Sequence, residues 1–229
     1  MFGGDKMILY HGREKIIETP IYGKGNLRND YGRGFYCTES EELAKEWACS
    51  NHRDGFANKY ELSLESLKIL YLNSEEYNVL HWLAILTKNR TYWENSTISE
   101  VAKKYLAANF MIDISEYDVI IGYRADDSYF SFARDFVSGT ISYGQLCEAM
   151  KLGKLGEQVV LISEKAFQNI RYISYSPADA LIYYTKKKER DRQARNEYRK
   201  MKHVENLEKE LFIVDIIREG MAGDDARLR

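Results

Sequence analysis

The chain has 229 residues, and 45% of them are hydrophobic, which is enough to bury one well-packed core. Its 33 basic and 35 acidic side chains give a net charge of −2, so the chain as a whole lacks the positive excess of a general polyanion binder, and any attraction to nucleic acid has to be local. Three cysteines and four histidines without paired spacing argue against a disulfide framework and against a metal site. The first residues show no signal-peptide pattern and no apolar run of about 18 residues occurs, so we expect a cytoplasmic protein without a membrane segment.

The first elements in chain order are two strands and a helix. Residues 7–10 (MILY) predict a buried strand, and residues 24–34 predict a loop rich in glycine, asparagine and aspartate. Phe35 then begins a short second strand. Thr38 is the expected N-cap of the helix that follows, with Glu41 completing a capping box.

The rest of the domain alternates helical and strand patterns. Apolar residues recur with helical spacing in four segments, 75–90, 98–110, 128–139 and 142–154. Apolar runs predict three further strands, at 117–123, 157–163 and 170–175. These elements together predict an α+β fold, with strands at both ends of the domain and helices between them.

The composition changes after Tyr184. Residues 186–202 (KKKERDRQARNEYRKMK) are mostly lysine and arginine. An apolar series follows at spacings of three and four: Tyr198, Met201, Val204, Leu207, Leu211 and Val214. The pattern predicts one long amphipathic helix in a C-terminal extension, residues 185–229, after a domain over residues 1–184. Its apolar stripe either docks on the domain or forms a partner-binding helix, whose basic part would face RNA or an acidic protein.

A histidine and a glycine directly after the first strand are suited to a ligand site. Gly12 has no Cβ, so a ligand can approach its backbone closely beside the imidazole of His11. Amide and carbonyl groups exposed there can pair with a carboxamide, and the ring of Tyr36 can stack on a flat heterocycle. These are the requirements of a nicotinamide pocket. Taken singly, His11 also fits a structural histidine, and Tyr36 is one of 18 tyrosines and fits a core position.

Several motifs, in order, resemble the ADP-ribosyltransferase superfamily. YHG at 10–12 followed by GRGFYCT at 32–38 looks like the first two motifs of its histidine–tyrosine branch, which includes diphtheria toxin and the poly(ADP-ribose) polymerases. More closely, the chain is similar to a bacterial family of unknown function within that superfamily. This resemblance covers roughly residues 7–175 and leaves the C-terminal helix outside; it rests on LYHG, DYGRGFYCTESEELAKEWA, HWLAILTKNR, YDVIIGYRADD and EQVVLISEKAF.

The resemblance implies a split β-sheet that holds NAD+ in a cleft, and transfer of ADP-ribose to an acceptor with release of nicotinamide. It implies that His11 hydrogen-bonds the adenosine ribose, that the Gly12 backbone meets the nicotinamide amide, and that Tyr36 stacks on the nicotinamide ring. The remaining motif residues of the same NAD+ pocket are Tyr10, Gly34 and Phe35. The candidates for binding the diphosphate are Arg28, Arg33 and Arg124, because a guanidinium pairs with two phosphate oxygens at once. An arginine in a loop can equally be solvated.

The third motif of this branch is a glutamate at the start of a late strand, where it binds the nicotinamide ribose and supports an oxocarbenium-like transition state. Here that strand begins GEQVVL. A shift of the strand register by one residue reverses which face of the sheet a side chain points to, so only one of the two residues, Gln158 or Glu157, can enter the cleft. We favour Gln158, which is common at this place in the related sequences but lacks the charge that stabilises the transition state. Asp126 or Asp127 of the RADD turn could then supply that charge, or the two could cap the helix that follows.

Three functions are compatible with this pattern. The first is a mono-ADP-ribosyltransferase that modifies a protein or a nucleic acid, as a toxin of a toxin–antitoxin or phage-defence system would, with an antitoxin or another protein bound through the C-terminal helix. The second is an NAD+- or ADP-ribose-binding module whose glutamine prevents efficient chemistry. The third is NAD+ hydrolysis with water as the acceptor. We expect the transferase, with NAD+ as its substrate and without a metal.

Overall fold

The computed structural model describes residues 6–91, 96–125, 127–152, 156–201 and 210–228. Its strands are β1 Lys6–Arg13, β2 Phe35–Cys37, β3 Gly55–Ser63, β4 Ile69–Tyr71, β5 Val119–Gly122, β6 Gln158–Leu161 and β7 Ile170–Ala178. Its helices are α1 Glu41–Ala48, α2 Val79–Asn89, α3 Thr97–Asn109, α4 Asp127–Val137, α5 Tyr143–Ala149, α6 Glu164–Gln168, α7 Ala180–Met201 and α8 Ile213–Arg218. The predicted α+β class and the long helix near the C-terminus are confirmed. None of the helices described here is long and apolar enough to cross a membrane.

The strands form two sheets that meet at one bridge. The first sheet has the order β1–β3–β7 with antiparallel neighbours. The second has the order β2–β6–β5–β4, in which β4 and β5 are parallel and the other neighbours are antiparallel. Tyr10 and Thr38 connect the sheets, because their backbones exchange two N–H to O hydrogen bonds of 2.8 and 2.9 Å. This bridge lies immediately before His11 in β1 and immediately after Cys37 in β2.

Apolar side chains pack in two main clusters, one for each side of the four-stranded sheet. The smaller cluster joins both sheets through residues such as Leu9 of β1, Tyr60 of β3 and Val159 of β6. The larger cluster includes Trp82 of α2 and Phe132 of α4, together with Ile120 and Val160 of the sheet. The alternation of the strands explains this division, because successive side chains of one strand point to opposite faces.

Helix α1 begins later than the sequence predicted. Its N-cap is Ser40, whose hydroxyl accepts the Leu43 N–H at 3.3 Å. Thr38 is instead fixed in the bridge to Tyr10, so its backbone is committed to the sheet. The predicted cap at Thr38 is therefore wrong, because a tertiary strand contact outweighs the local capping signal.

The C-terminal residues share the main core with the rest of the chain. Helix α7 begins at Ala180, whose N–H donates to the Asp54 carboxylate at 2.8 Å, so the expected boundary after residue 184 falls inside this helix. Tyr198 is buried, with its ring centre 4.0 Å from that of Phe132 and its hydroxyl donating to Asp135 at 2.6 Å. At this residue the apolar stripe docks on the domain, as the first of the two alternatives supposed.

The prediction of one continuous helix as far as Val214 is wrong. Residues 210–212 are not helical, and α8 begins at Ile213, while Val204 and Leu207 lie outside the described residues. At the break, the Leu211 carbonyl accepts the Tyr143 N–H at 2.7 Å. This contact fixes the segment against the start of α5, which the local apolar spacing could not reveal.

Candidate functional site

A cleft of about 940 Å³ lies beside the bridge between the two sheets. Three of its lining residues come from different strands: His11 from β1, Tyr36 from β2 and Gln158 from β6. The other walls are formed by the loop between β1 and β2, by α1 and by the middle of α7. The fold therefore brings together residues that lie far apart in the sequence.

His11 is held as a neutral imidazole with one defined tautomer. Its Nδ1 lies 2.7 Å from the Tyr36 carbonyl oxygen, which can only accept, so Nδ1 carries the proton. The ring stacks on Phe35, with 4.4 Å between ring centres. The pKa of His11 is lowered to about 4, mainly by burial; the hydrogen bond to the Tyr36 carbonyl opposes this shift, and the charge of Arg13 adds to it. Nε2 is therefore a hydrogen-bond acceptor at neutral pH.

Tyr36 presents its ring to the cleft and uses its hydroxyl to order the preceding loop. The hydroxyl donates to the Gly32 carbonyl at 2.6 Å and accepts the Tyr31 N–H at 3.1 Å. Burial raises the pKa of Tyr36 above its ordinary range, and the nearby Asp30 carboxylate adds to this shift. The side chain is thus an uncharged aromatic surface with a fixed orientation.

The register of β6 places Gln158 in the cleft and Glu157 outside it. Gln158 is paired with Gly122 of β5 and is 5% exposed. Glu157 is exposed, and its carboxylate accepts from the Asn73 amide at 2.8 Å. Neighbouring strand residues point to opposite faces, so the uncharged residue of the pair faces the cleft.

A buried carboxylate that the sequence analysis did not select lies directly beside Gln158. Asp30 Oδ2 accepts from the Gln158 Nε2 at 3.4 Å and from the Ala125 N–H at 2.9 Å. Its Oδ1 accepts from Arg90 Nε at 2.9 Å and Nη2 at 2.8 Å. Asp30 is the first residue of the DYGRGFYCT motif, and this position was its one local signal. The spacing of Asp30 and Gln158 in the sequence does not predict that they meet.

Two polar residues of β3 fix the loop that follows His11. The Asn58 amide donates to the carbonyls of His11 and Lys15, both at 3.2 Å, and its oxygen accepts the Ile17 N–H at 2.9 Å. The Tyr60 hydroxyl donates to the Ile17 carbonyl at 2.6 Å. Both residues position one wall of the cleft, and the sequence analysis selected neither.

Several expected pocket residues do not line the cleft. The Tyr10 side chain is absent from its walls because it alternates with His11 along β1, and its ring lies instead 5.9 Å from Lys59 Nζ. Arg28 and Arg33 are exposed and are not among the residues that line the cleft, so the lining lends no support to their predicted role at the diphosphate. Asp126 lies outside the described residues, as does the side chain of Asp127.

The glycines of the two motifs are explained mainly by packing. A Cβ on Gly12 would lie 2.0 Å from the Ala44 carbonyl oxygen, so helix α1 crosses β1 only because residue 12 is glycine. A Cβ on Gly34 would lie 2.6 Å from Cγ1 of Val160. Both glycines line the cleft, and the space that a Cβ of Gly12 would need is filled by helix α1 rather than left open for a ligand.

Helices α1 and α7 contribute charged and aromatic groups to the far wall. The Arg124 guanidinium lies 3.1 Å from the centre of the Trp47 ring, and both residues line the cleft. Arg190 of α7 makes a fork with the buried carboxylate of Glu46, through hydrogen bonds of 3.0 and 2.7 Å. Lys187 of α7 also lines the cleft.

Among the residues that the structure describes, no group of three or more His, Cys, Asp and Glu side chains could hold a metal ion.

Comparison with known proteins gives a family for this chain. The family described as "Protein of unknown function (DUF3990)" matches residues 7–172. This match spans most of the chain, and the chain belongs to that family. No curated protein and no solved structure matches the sequence. Helix α7 lies outside the matched range, although residues of its middle turns, such as Lys187 and Arg190, line the cleft.

Proposed function

We propose that this member of the DUF3990 family binds NAD+ in the cleft and transfers ADP-ribose to a macromolecular acceptor, with release of nicotinamide. The observation that carries the proposal is the meeting of His11, Tyr36 and Gln158, from three different strands, in one cleft. These are the positions that the resemblance to ADP-ribosyltransferases assigned to binding and catalysis. Their meeting supports the proposal more strongly than any one motif does.

The binding roles follow from the chemistry of each group. Nε2 of His11 is an acceptor and suits a hydroxyl of the adenosine ribose. The uncharged ring of Tyr36 suits stacking on nicotinamide, and the Gly12 backbone suits its carboxamide. Arg124, the candidate for the diphosphate that lines the cleft, retains that role.

The reaction begins when the bond between C1′ of the ribose and the nicotinamide nitrogen breaks. Its electron pair leaves with neutral nicotinamide, and positive charge develops on the sugar. The Gln158 amide nitrogen donates a hydrogen bond to Asp30. This hydrogen bond orients the carbonyl oxygen of Gln158 so that it accepts a ribose hydroxyl. Asp30 then supplies the negative charge behind this amide, in the role first considered for Asp126 or Asp127. An oxygen or nitrogen of the acceptor bonds to C1′ and releases its proton to water.

The test is incubation of the purified protein with NAD+ labelled in its adenylate and a cell lysate, with protein and nucleic-acid fractions separated. We expect label in one fraction, and its loss in His11→Ala, Tyr36→Ala and Gln158→Ala. Glu157→Gln is the matched control, because it changes the neighbouring residue outside the cleft and should keep full activity. Equal labelling by all these variants would refute the proposal.

The uncharged Gln158 favours a second candidate, an NAD+- or ADP-ribose-binding module. In that case calorimetry would detect NAD+ binding that is lost in Tyr36→Ala, while neither label transfer nor free nicotinamide would appear. Release of nicotinamide without any labelled macromolecule would instead indicate NAD+ hydrolysis. If the acceptor is an essential host molecule, expression of the wild-type chain should be toxic and expression of His11→Ala should not, as a toxin requires.

A further inference from the structure

Basic side chains from two distant parts of the chain line the mouth of the cleft. Arg13 and Lys24 come from the end of β1 and the loop after it, while Lys187 and Lys188 come from α7. All four are exposed or half-buried. Within the described ranges none of the four forms an ion pair, although the Lys188 ammonium lies 5.5 Å from the Tyr184 ring centre. Their charges are thus available to a ligand.

The cleft is strongly positive on a chain that is slightly negative. Among the described residues, seven basic and three acidic side chains line it, whereas the whole chain has a net charge of −2. Asp30 and Glu46 already hold Arg90 and Arg190. The diphosphate of one NAD+ would neutralise only part of the remaining excess. Such a concentration of positive charge attracts a polyanion.

Apolar side chains are exposed on the loop that carries Lys24. Ile21 and Tyr22 are each 52% exposed, and Leu27 is 61% exposed. Ile21 lines the cleft, and the Tyr22 ring contacts the lining residue Phe167 edge-on, with 5.6 Å between ring centres. Aromatic and apolar side chains beside a basic groove are typical of sites for unpaired bases, whose faces are open to stacking.

We propose that the mouth of this cleft binds single-stranded nucleic acid as the acceptor of ADP-ribose. Phosphates of the strand lie on Lys187 and Lys188, and an unstacked base lies on the side chains of Ile21 and Tyr22. An oxygen or nitrogen of the strand bonds to C1′ as the bond to nicotinamide breaks, and its proton passes to water. The inference rests on the proposed function for the transfer step, while the binding step can be measured without NAD+.

The experiment is fluorescence anisotropy of labelled DNA and RNA strands of about 16 nucleotides over a range of salt concentrations. In Lys187→Ala/Lys188→Ala, the slope of log K against log salt should fall by about 1.4, and binding at 0.1 M salt should weaken about 25-fold, because each phosphate contact to a single strand contributes about 0.7 to the slope. The matched control is Arg199→Ala/Lys200→Ala, which removes the same charge from the exposed end of the same helix and should change binding less than about threefold.

A second variant tests the base contact independently of charge. Tyr22→Ala should weaken single-strand binding about tenfold without altering the salt slope, since base stacking is uncharged. Tyr71→Ala is its control, because Tyr71 is 49% exposed on β4 and does not line the cleft. A duplex of the same sequence should bind more weakly than the single strand, because its bases remain paired.

Distinct outcomes separate this inference from the proposed function. Equal losses in the two double variants, or a lower NAD+ affinity of Lys187→Ala/Lys188→Ala measured without nucleic acid, would overturn the inference. Label found on protein alone, from a chain that does not bind strands, would also overturn it and leave the transferase intact. Strand binding that shows the expected losses, without release of nicotinamide, would refute the proposed function and leave the binding surface supported.

Discussion

The substitution Asp30→Asn tests the buried carboxylate beside Gln158. Asp30 is 6% exposed and accepts from Arg90, Ala125 and Gln158. An asparagine of the same shape keeps one acceptor oxygen and replaces the other with a donor. It therefore removes the negative charge and can no longer accept from all three partners. Because Arg90 keeps 31% exposure, water compensates part of the lost ion pair, and we expect a stability loss of about 2–3 kcal/mol.

In the proposed reaction, the effect on catalysis follows from the distance between this charge and the reacting sugar. The contact from Asp30 to Gln158 is 3.4 Å, and the width of the amide and a hydrogen bond place the sugar about 7 Å from the carboxylate. At an effective dielectric constant of about 20, a charge at about 7 Å stabilises the transition state by roughly 2.4 kcal/mol. Removing it should lower kcat by about 50-fold, with a smaller change in KM, because the positive charge of NAD+ lies on the nicotinamide ring in the ground state and moves to the ribose only in the transition state.

The assay is release of nicotinamide from NAD+ under saturating substrate, with folding checked by circular dichroism. Glu157→Gln removes a carboxylate one residue from Gln158 but outside the cleft, and should retain kcat. The double substitution Asp30→Asn/Arg90→Gln removes both charges of the pair, so it should recover stability without recovering the rate. A folded Asp30→Asn protein with kcat within threefold of wild type would refute the electrostatic argument.

Three further predictions concern the elements that build the cleft. The pKa of His11 is about 4 in the folded chain and 6.5 in the unfolded chain, so the unfolded chain binds more protons between these pH values. The free energy of unfolding, measured by urea titration, should be highest above pH 6.5 and fall towards pH 4 by on the order of 3 kcal/mol. The variant His11→Gln should lose this pH dependence. Arg190→Ala leaves the buried Glu46 carboxylate without its guanidinium partner and should lower the free energy of unfolding by about 3 kcal/mol. Its control is Arg192→Ala, at an exposed ion pair, which should change the free energy of unfolding by less than about 0.5 kcal/mol. Similar effects of the two substitutions would contradict the importance of the buried pair. Gly12→Ala places a methyl group against the α1 backbone and should destabilise by about 3 kcal/mol in thermal unfolding, and an unchanged Tm would disprove the packing argument.

Much of the candidate site could be read from local patterns. The apolar run before His11 predicts a strand that ends in the cleft, and the period of two along β6 requires that Gln158 and Glu157 point to opposite faces. The sequence could not say which of the two faces inward, because the answer depends on how β6 pairs with β2 and β5. The same limit explains the wrong N-cap at Thr38, since the bridge to Tyr10 joins residues of two different strands.

The sequence by itself determined the α+β class, the order of the main elements and the motif residues His11 and Tyr36, because these depend on periodicity and on short-range chemistry. Only the tertiary structure decided that Asp30 meets Gln158 and that Lys187 reaches the cleft. Each of these contacts joins segments more than 100 residues apart, as the separation of 128 between Asp30 and Gln158 illustrates. Such contacts depend on how whole strands and helices pack, so the local sequence around a residue does not determine which distant residue it will contact.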